Sequence, residues 1–255
     1  MPPSGTAGEF AVAALAVFPL ASWPCADNIA QVLINIAKRS PELPAVTCGD
    51  RIEMTYGEVA TRAMQLAAGL RSIDGVGSGE RVVIFMGNRS EYVECLFAIW
   101  LAGLIAVPVN AKLHPRELAY IIDHCGARVC LADSDHAQAA STAITQCSRP
   151  PRLAVVADTS YRILVDHPSA DPVTCDADDT AWLFYTSGTT GFPKGAMLTH
   201  RNLYAMTLNY FCDMDTIEPG DAIIHAAPLS HGSGLWVLPH VVKGAVHVMP
   251  SSGGF

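Results

Sequence analysis

Residues 185–195 read YTSGTTGFPKG, with three glycines, three threonines, one serine and a single lysine in eleven positions. Glycines lack a Cβ, so successive backbone N–H groups can turn toward one point. Such a nest binds oxyanions, phosphate above all. Ser187, Thr189 and Thr190 add hydroxyl donors, and Lys194 adds a compact positive charge. Pro193 stiffens the approach to Lys194. The stretch is suited to holding a polyphosphate. The common nucleotide loop, GxxxxGK followed by Ser or Thr, sets its lysine directly after a glycine. Here Gly188 and Gly191 are three apart, and Lys194 follows three later with Gly195 behind it. A Walker-type kinase or ATPase is therefore disfavoured. A Gly/Thr-rich surface turn without a ligand would not account for the hydroxyls and the lysine arriving together.

The elements around this loop must position it. An apolar strand over 180–186 leads in, and Thr199 can cap a helix running to about 211. Upstream, strands and helices alternate. Asp27 can cap a helix over 28–39, and two short extended segments, 45–48 and 51–55, turn at Gly49-Asp50. Thr55-Tyr-Gly-Glu58 fits a capping box. Residues 81–86, 105–109, 128–132 and 153–157 read as buried strands. Between them lie helices capped by Ser90 and running to about 102, over 115–125 with a stop at Gly126, and over 134–146. Beyond the loop, 222–227 and 245–249 read as strands around a helix near 235–242. Continuous apolar strands separated by helices predict an α/β fold with a largely parallel sheet. The division expected is an extension over 1–26, a first lobe over 27–157, a connecting loop over 158–179 and the start of a second lobe over 180–255.

Residues 183–194, LFYTSGTTGFPK, resemble position for position the AMP-binding signature of the adenylate-forming superfamily, which includes acyl-CoA synthetases and 4-coumarate-CoA ligases. The segment 227–234, APLSHGSG, is similar to that family's second core motif. Residues 195–203, 103–110, 115–118 and 123–128 resemble further family segments, so the likeness covers about 27–255. The resemblance implies two stacked α/β lobes of the family's large N-terminal domain, truncated here. It implies an ATP-dependent acid–thiol ligase. A carboxylic acid, fatty or aromatic, attacks ATP to give an acyl-adenylate, and coenzyme A then displaces AMP. By motif position Thr186, Ser187, Gly188, Thr189, Thr190, Gly191 and Lys194 would cradle the phosphates. Mg2+ would be carried by those phosphates, near Thr190. His231 would sit beside the reacting carboxylate, where an imidazole can orient it. A lone His between Ser and Gly is otherwise often a plain turn residue. Trp236 is expected as either pocket wall or core, and His200 and Arg201 as first-turn residues in solvated or capping roles.

The family's later motifs for adenine, ribose and the metal-binding acid are not found after His231, nor is its C-terminal lysine. The expectation is an N-terminal portion, inactive alone, with an exposed edge that invites a homodimer. The alternatives are a peptide-synthetase-type adenylation domain and a non-catalytic nucleotide-binding remnant.

Composition narrows the rest. Half of the 255 residues are apolar, the net charge is −8 and no basic run exceeds Lys38-Arg39, so a nucleic-acid partner is not expected. Eight cysteines form no CxxC pair, which reads as reduced thiols in a cytoplasmic protein. Cys125 and Cys130 beside His124 lack zinc spacing. Residues 10–25 lack the basic start of a signal peptide. The uncharged run 95–111 is too short to span a bilayer.

Overall fold

The computed structural model describes residues 28–186, 193–218 and 220–251. The chain opens with α1 (Gln31–Arg39), the hairpin β1 (Pro44–Cys48) and β2 (Arg51–Thr55), and α2 (Tyr56–Arg71). Then follow β3 (Arg81–Phe85), α3 (Ser90–Leu101), β4 (Ile105–Pro108), α4 (Pro115–Cys125), β5 (Val129–Ala132), α5 (Ala137–Ile144), β6 (Arg152–Val155) and α6 (Thr159–Val165). The remainder is β7 (Thr180–Thr186), β8 (Lys194–Thr199), α7 (His200–Asp213), β9 (Ala222–Ile224), α8 (Gly232–Leu235), α9 (Val237–Lys243) and β10 (Val246–Met249).

These strands form two sheets. One has the order β6-β5-β3-β4-β7-β8 and is parallel except for the β7–β8 pair. The other has the order β2-β1-β10-β9, antiparallel only at β1–β2. The fold is α/β with mostly parallel sheets, as the alternation of elements implied. In β3, Val82 and Ile84 enter one core while Val83 and Phe85 enter another against α4 and α5. A strand buried on both faces has no polar side, hence its continuous apolar run. The larger core joins α1, α2, α3 and α9 to both sheets.

Caps set several boundaries. Thr55 with Glu58 and Thr199 with Asn202 form the reciprocal boxes that start α2 and α7. His114 with Glu117 does the same at α4, which Gly126 ends in the left-handed region at φ 65. Ser90 does not cap α3: Arg89 holds that position without a side-chain bond, and Ser90 is the first helical residue. Asp27 lies outside the described residues, and Ala30 stands at the start of α1.

Three further expectations differ from what the chain does. The stretch 158–179, read as a connecting loop, holds α6, whose Tyr161 and Leu164 are buried. The strands assigned to two successive lobes are shared instead: β7 and β8 extend the sheet of β3–β6, and β9 and β10 extend the sheet of β1. Parallel pairing needs long crossovers, so neighbours in a sheet come from distant parts of the sequence. Finally, residues 194–199 form β8, where no strand was expected. No helix among the described residues is long and apolar enough to cross a membrane.

Candidate functional site

The glycine- and threonine-rich stretch joins two antiparallel strands. It does not run from a strand into a helix. Thr186, the last residue of β7, pairs with Lys194, the first of β8, and Tyr185 pairs with Gly195. Both Thr186 and Lys194 are exposed. Ser187, Gly188, Thr189, Thr190 and Gly191 lie outside the described residues, so the structure describes the two strand ends that flank the loop, Thr186 and Lys194.

Helix α4 braces both strand ends. Tyr120 Oη donates to the Pro193 carbonyl at 3.4 Å, and His124 Nδ1 lies 2.7 Å from Tyr185 Oη. The Tyr120 and His124 rings stack at 5.4 Å. The Tyr185 ring crosses over Gly195, where an added Cβ would lie 3.0–3.1 Å from ring carbons. Burial, with Cys125 and Tyr120 nearby, raises the Tyr185 phenol well above its ordinary pKa, so it stays protonated. Beneath the hairpin, Trp100 Nε1 donates to the Ala181 carbonyl at 2.8 Å and ties α3 to the start of β7.

His231 stands at the start of α8, with Nδ1 2.9 Å from Ser230 Oγ. Its ring meets Phe184 edge to face, centroids 5.9 Å apart. Phe184 is two positions before Thr186 on β7, and alternate strand residues share a face about 7 Å apart. The two motifs singled out in the sequence therefore meet on one strand. Trp236 is 41% exposed and so is no core residue; it touches Tyr210 edge to face. His200 is buried, contrary to the solvated role expected, and its Nδ1 accepts the Ile29 N–H at 3.0 Å. Arg201 makes two bonds to Asp178, at 2.7 and 3.1 Å, on the surface.

Behind Ser230 lies a cleft of about 190 Å3, lined among others by Met86, Gly87, Asn88, Lys112 and His136. It forms where β3 and β5 end. α3 follows β3 onto the face shared with the four-stranded sheet, and α5 follows β5 onto the other. Chains diverging in this way leave a crevice at the carboxyl ends of the strands, where open α/β sheets bind ligands. Asp133 anchors its floor, accepting the Gly87 N–H at 2.9 Å and sitting 2.6 Å from His136 Nδ1. Sequence reasoning found the strands but missed Asn88, Lys112 and His136. The signal available was their place directly after apolar strands.

A chain of buried groups lies beyond the cleft. His225 Nδ1 is 2.8 Å from Ser233 Oγ, and His225 Nε2 is 3.0 Å from His247 Nδ1. Among the described residues, His247 Nε2 has no hydrogen-bond partner. Burial lowers the His225 pKa to about 3, with His240 adding to the shift, and burial holds the His247 pKa well below its ordinary value, with His225 and then His240 adding. All three rings are thus neutral at pH 7. Among the described residues no group of three or more His, Cys, Asp or Glu is arranged to hold a metal ion.

A family model described as AMP-binding enzyme matches residues 34–254. The chain belongs to the AMP-binding enzyme family. A feruloyl-CoA synthase of an Amycolatopsis species is 36% identical over 235 residues, 91% of this chain and 44% of that protein. The long-chain-fatty-acid–CoA ligase FadD13 of Mycobacterium tuberculosis is 28% identical over 82% of this chain and 42% of its own length. The inhibitor-bound N-terminal domain of FACL13 from Mycobacterium tuberculosis superimposes with a TM-score of 0.80 at 27% identity, over 89% of this chain and 57% of that one. This AMP-binding chain spans less than half the length of these two curated relatives.

Proposed function

We propose that this AMP-binding chain supplies the phosphate cradle and carboxylate-orienting histidine of an ATP-dependent acid–CoA ligase. The observation that carries the reading is β7, which holds Thr186 at the mouth of the signature loop and, through Phe184, the ring of His231. In the first step a carboxylate oxygen forms a bond to the α-phosphorus of ATP, and the bond to pyrophosphate breaks. In the second, the thiolate sulfur of coenzyme A bonds to the acyl carbon, and AMP leaves with the electron pair. Backbone N–H groups of 187–191, the hydroxyls of Thr186, Ser187, Thr189 and Thr190, and Lys194 would hold the β- and γ-phosphates. Positioning and charge neutralisation account for most of such catalysis. Mg2+ bound to ATP would neutralise phosphate charge. His231 would orient the carboxylate. Relatives act, by their names, on ferulate, on hydroxybenzoates and on long-chain fatty acids, and we place the substrate among aryl and fatty acids. The seven described cysteines are free, which fits a cytoplasmic protein.

Calorimetric titration with ATP and magnesium tests the cradle. Lys194→Ala is expected to weaken binding at least tenfold, about 1.4 kcal/mol or more. Unchanged affinity would overturn the reading.

A further inference from the structure

Asn88 lies in the turn after β3, and its whole amide fork reaches across to the segment after β9. Nδ2 donates to the carbonyls of His225 at 2.7 Å and Ala227 at 2.8 Å, while Oδ1 accepts the Leu229 N–H at 2.9 Å. A planar amide offers two donors and an acceptor at fixed angles, so three such bonds set both the distance and the rotation of what they hold. The fork is itself anchored. Gly87 donates its N–H to Asp133 Oδ2, and Asp133 Oδ1 accepts the His136 N–H at 2.9 Å. Farther along the same segment, Ser233 is bound to His225. His231 sits between these two anchors, with its ring on Phe184.

We propose that Asn88 is a positioning residue. It ties residues 225–229, which leave the four-stranded sheet, to the end of β3 in the six-stranded sheet, and thereby sets His231 over Phe184. The functional weight of this placement rests on the proposed carboxylate-orienting role of His231. The placement itself is read from ring position, so the two can fail separately.

The test uses the 255-residue chain with 15N-labelled histidine. The unaltered protein should show magnetisation transfer between the His231 and Phe184 rings. Asn88→Ala should reduce that transfer at least threefold. Asn88→Asp, equal in size, should do no better, because it sets carboxylate oxygens against two carbonyls. Val59→Ala, a core change in α2, should lower the melting temperature yet leave the transfer intact. If Asn88→Ala does not fold, Asn88→Ser, which keeps one donor, should still shift the His231 ring resonances. Full transfer in Asn88→Ala and Asn88→Asp, or resonances unmoved in Asn88→Ser, overturns the proposal. Ferulate titration judges the role of His231 alone. A tenfold weaker affinity in Asn88→Asp supports it. Unchanged affinity in a variant whose His231 ring has moved off Phe184 removes His231 from substrate binding while leaving the role of Asn88 standing.

Discussion

Gly195 shows how closely the ends of the β7–β8 hairpin are fitted. The Tyr185 ring occupies the space a side chain would need, with ring carbons 3.0–3.1 Å from the site of a Cβ. That ring cannot swing away freely, because its hydroxyl is bound to His124. Gly195→Ala should therefore push the two strands apart at the loop. Overpacking of this kind costs about 1–3 kcal/mol, and thermal unfolding should show it together with weaker ATP binding. Gly126 is a second such position. Its φ of 65 is in the left-handed region, and a Cβ there would come within 2.9 Å of Arg81 Nη2.

At the scale of elements, α4 is the brace of the hairpin. Its His114 cap and Gly126 stop fix where the helix begins and ends, and hence where Tyr120 and His124 point. His124→Ala should loosen the hairpin ends and cost about 1 kcal/mol. Amide exchange at Tyr185 and Gly195 should quicken at least threefold while α2 stays protected. Equal exchange in both proteins would show that the brace is idle. Most elements were legible because their signals are local. Apolar runs mark β3 and β5, a capping box opens α2, and a Pro start with a Gly stop bounds α4. β8 was not legible, because its exposed pattern, with Met197 70% exposed, carries no apolar alternation. Only pairing with β7 makes it a strand. α6 was hidden by its brevity among turn residues. The glycine- and threonine-rich motif and His231 stood out by composition and resemblance. Asn88 and Asp133 did not, since their work is to hold backbone groups remote in sequence.

For the whole molecule, the buried histidines fix a pH dependence. His225, His247 and His240 are neutral when folded, and burial is the main cause of each lowered pKa. The hydrogen bond to the Trp236 backbone, then Asp215 and Asp221, oppose the shift at His240. Unfolded, the rings take up protons near the ordinary histidine value of 6.5. Below that pH the unfolded chain binds more protons than the folded one, so stability falls as pH drops toward about 3, where His225 itself titrates. The slope is about 1.4 kcal/mol per pH unit for each ring that stays neutral. Melting temperatures should be level above pH 7 and decline from 6.5 to 5. A flat profile across that range would mean the rings are not sealed from water.

The four-stranded sheet draws its strands from both ends of the described chain: Val46 of β1 lies beside His247 of β10. A growing polypeptide thus emits β1 and β2 from the ribosome long before their inner neighbour exists. Strands β3 to β6 can assemble first, leaving the early hairpin with one edge open during synthesis. That waiting edge leaves the nascent protein open to wrong strand pairing until translation passes residue 249.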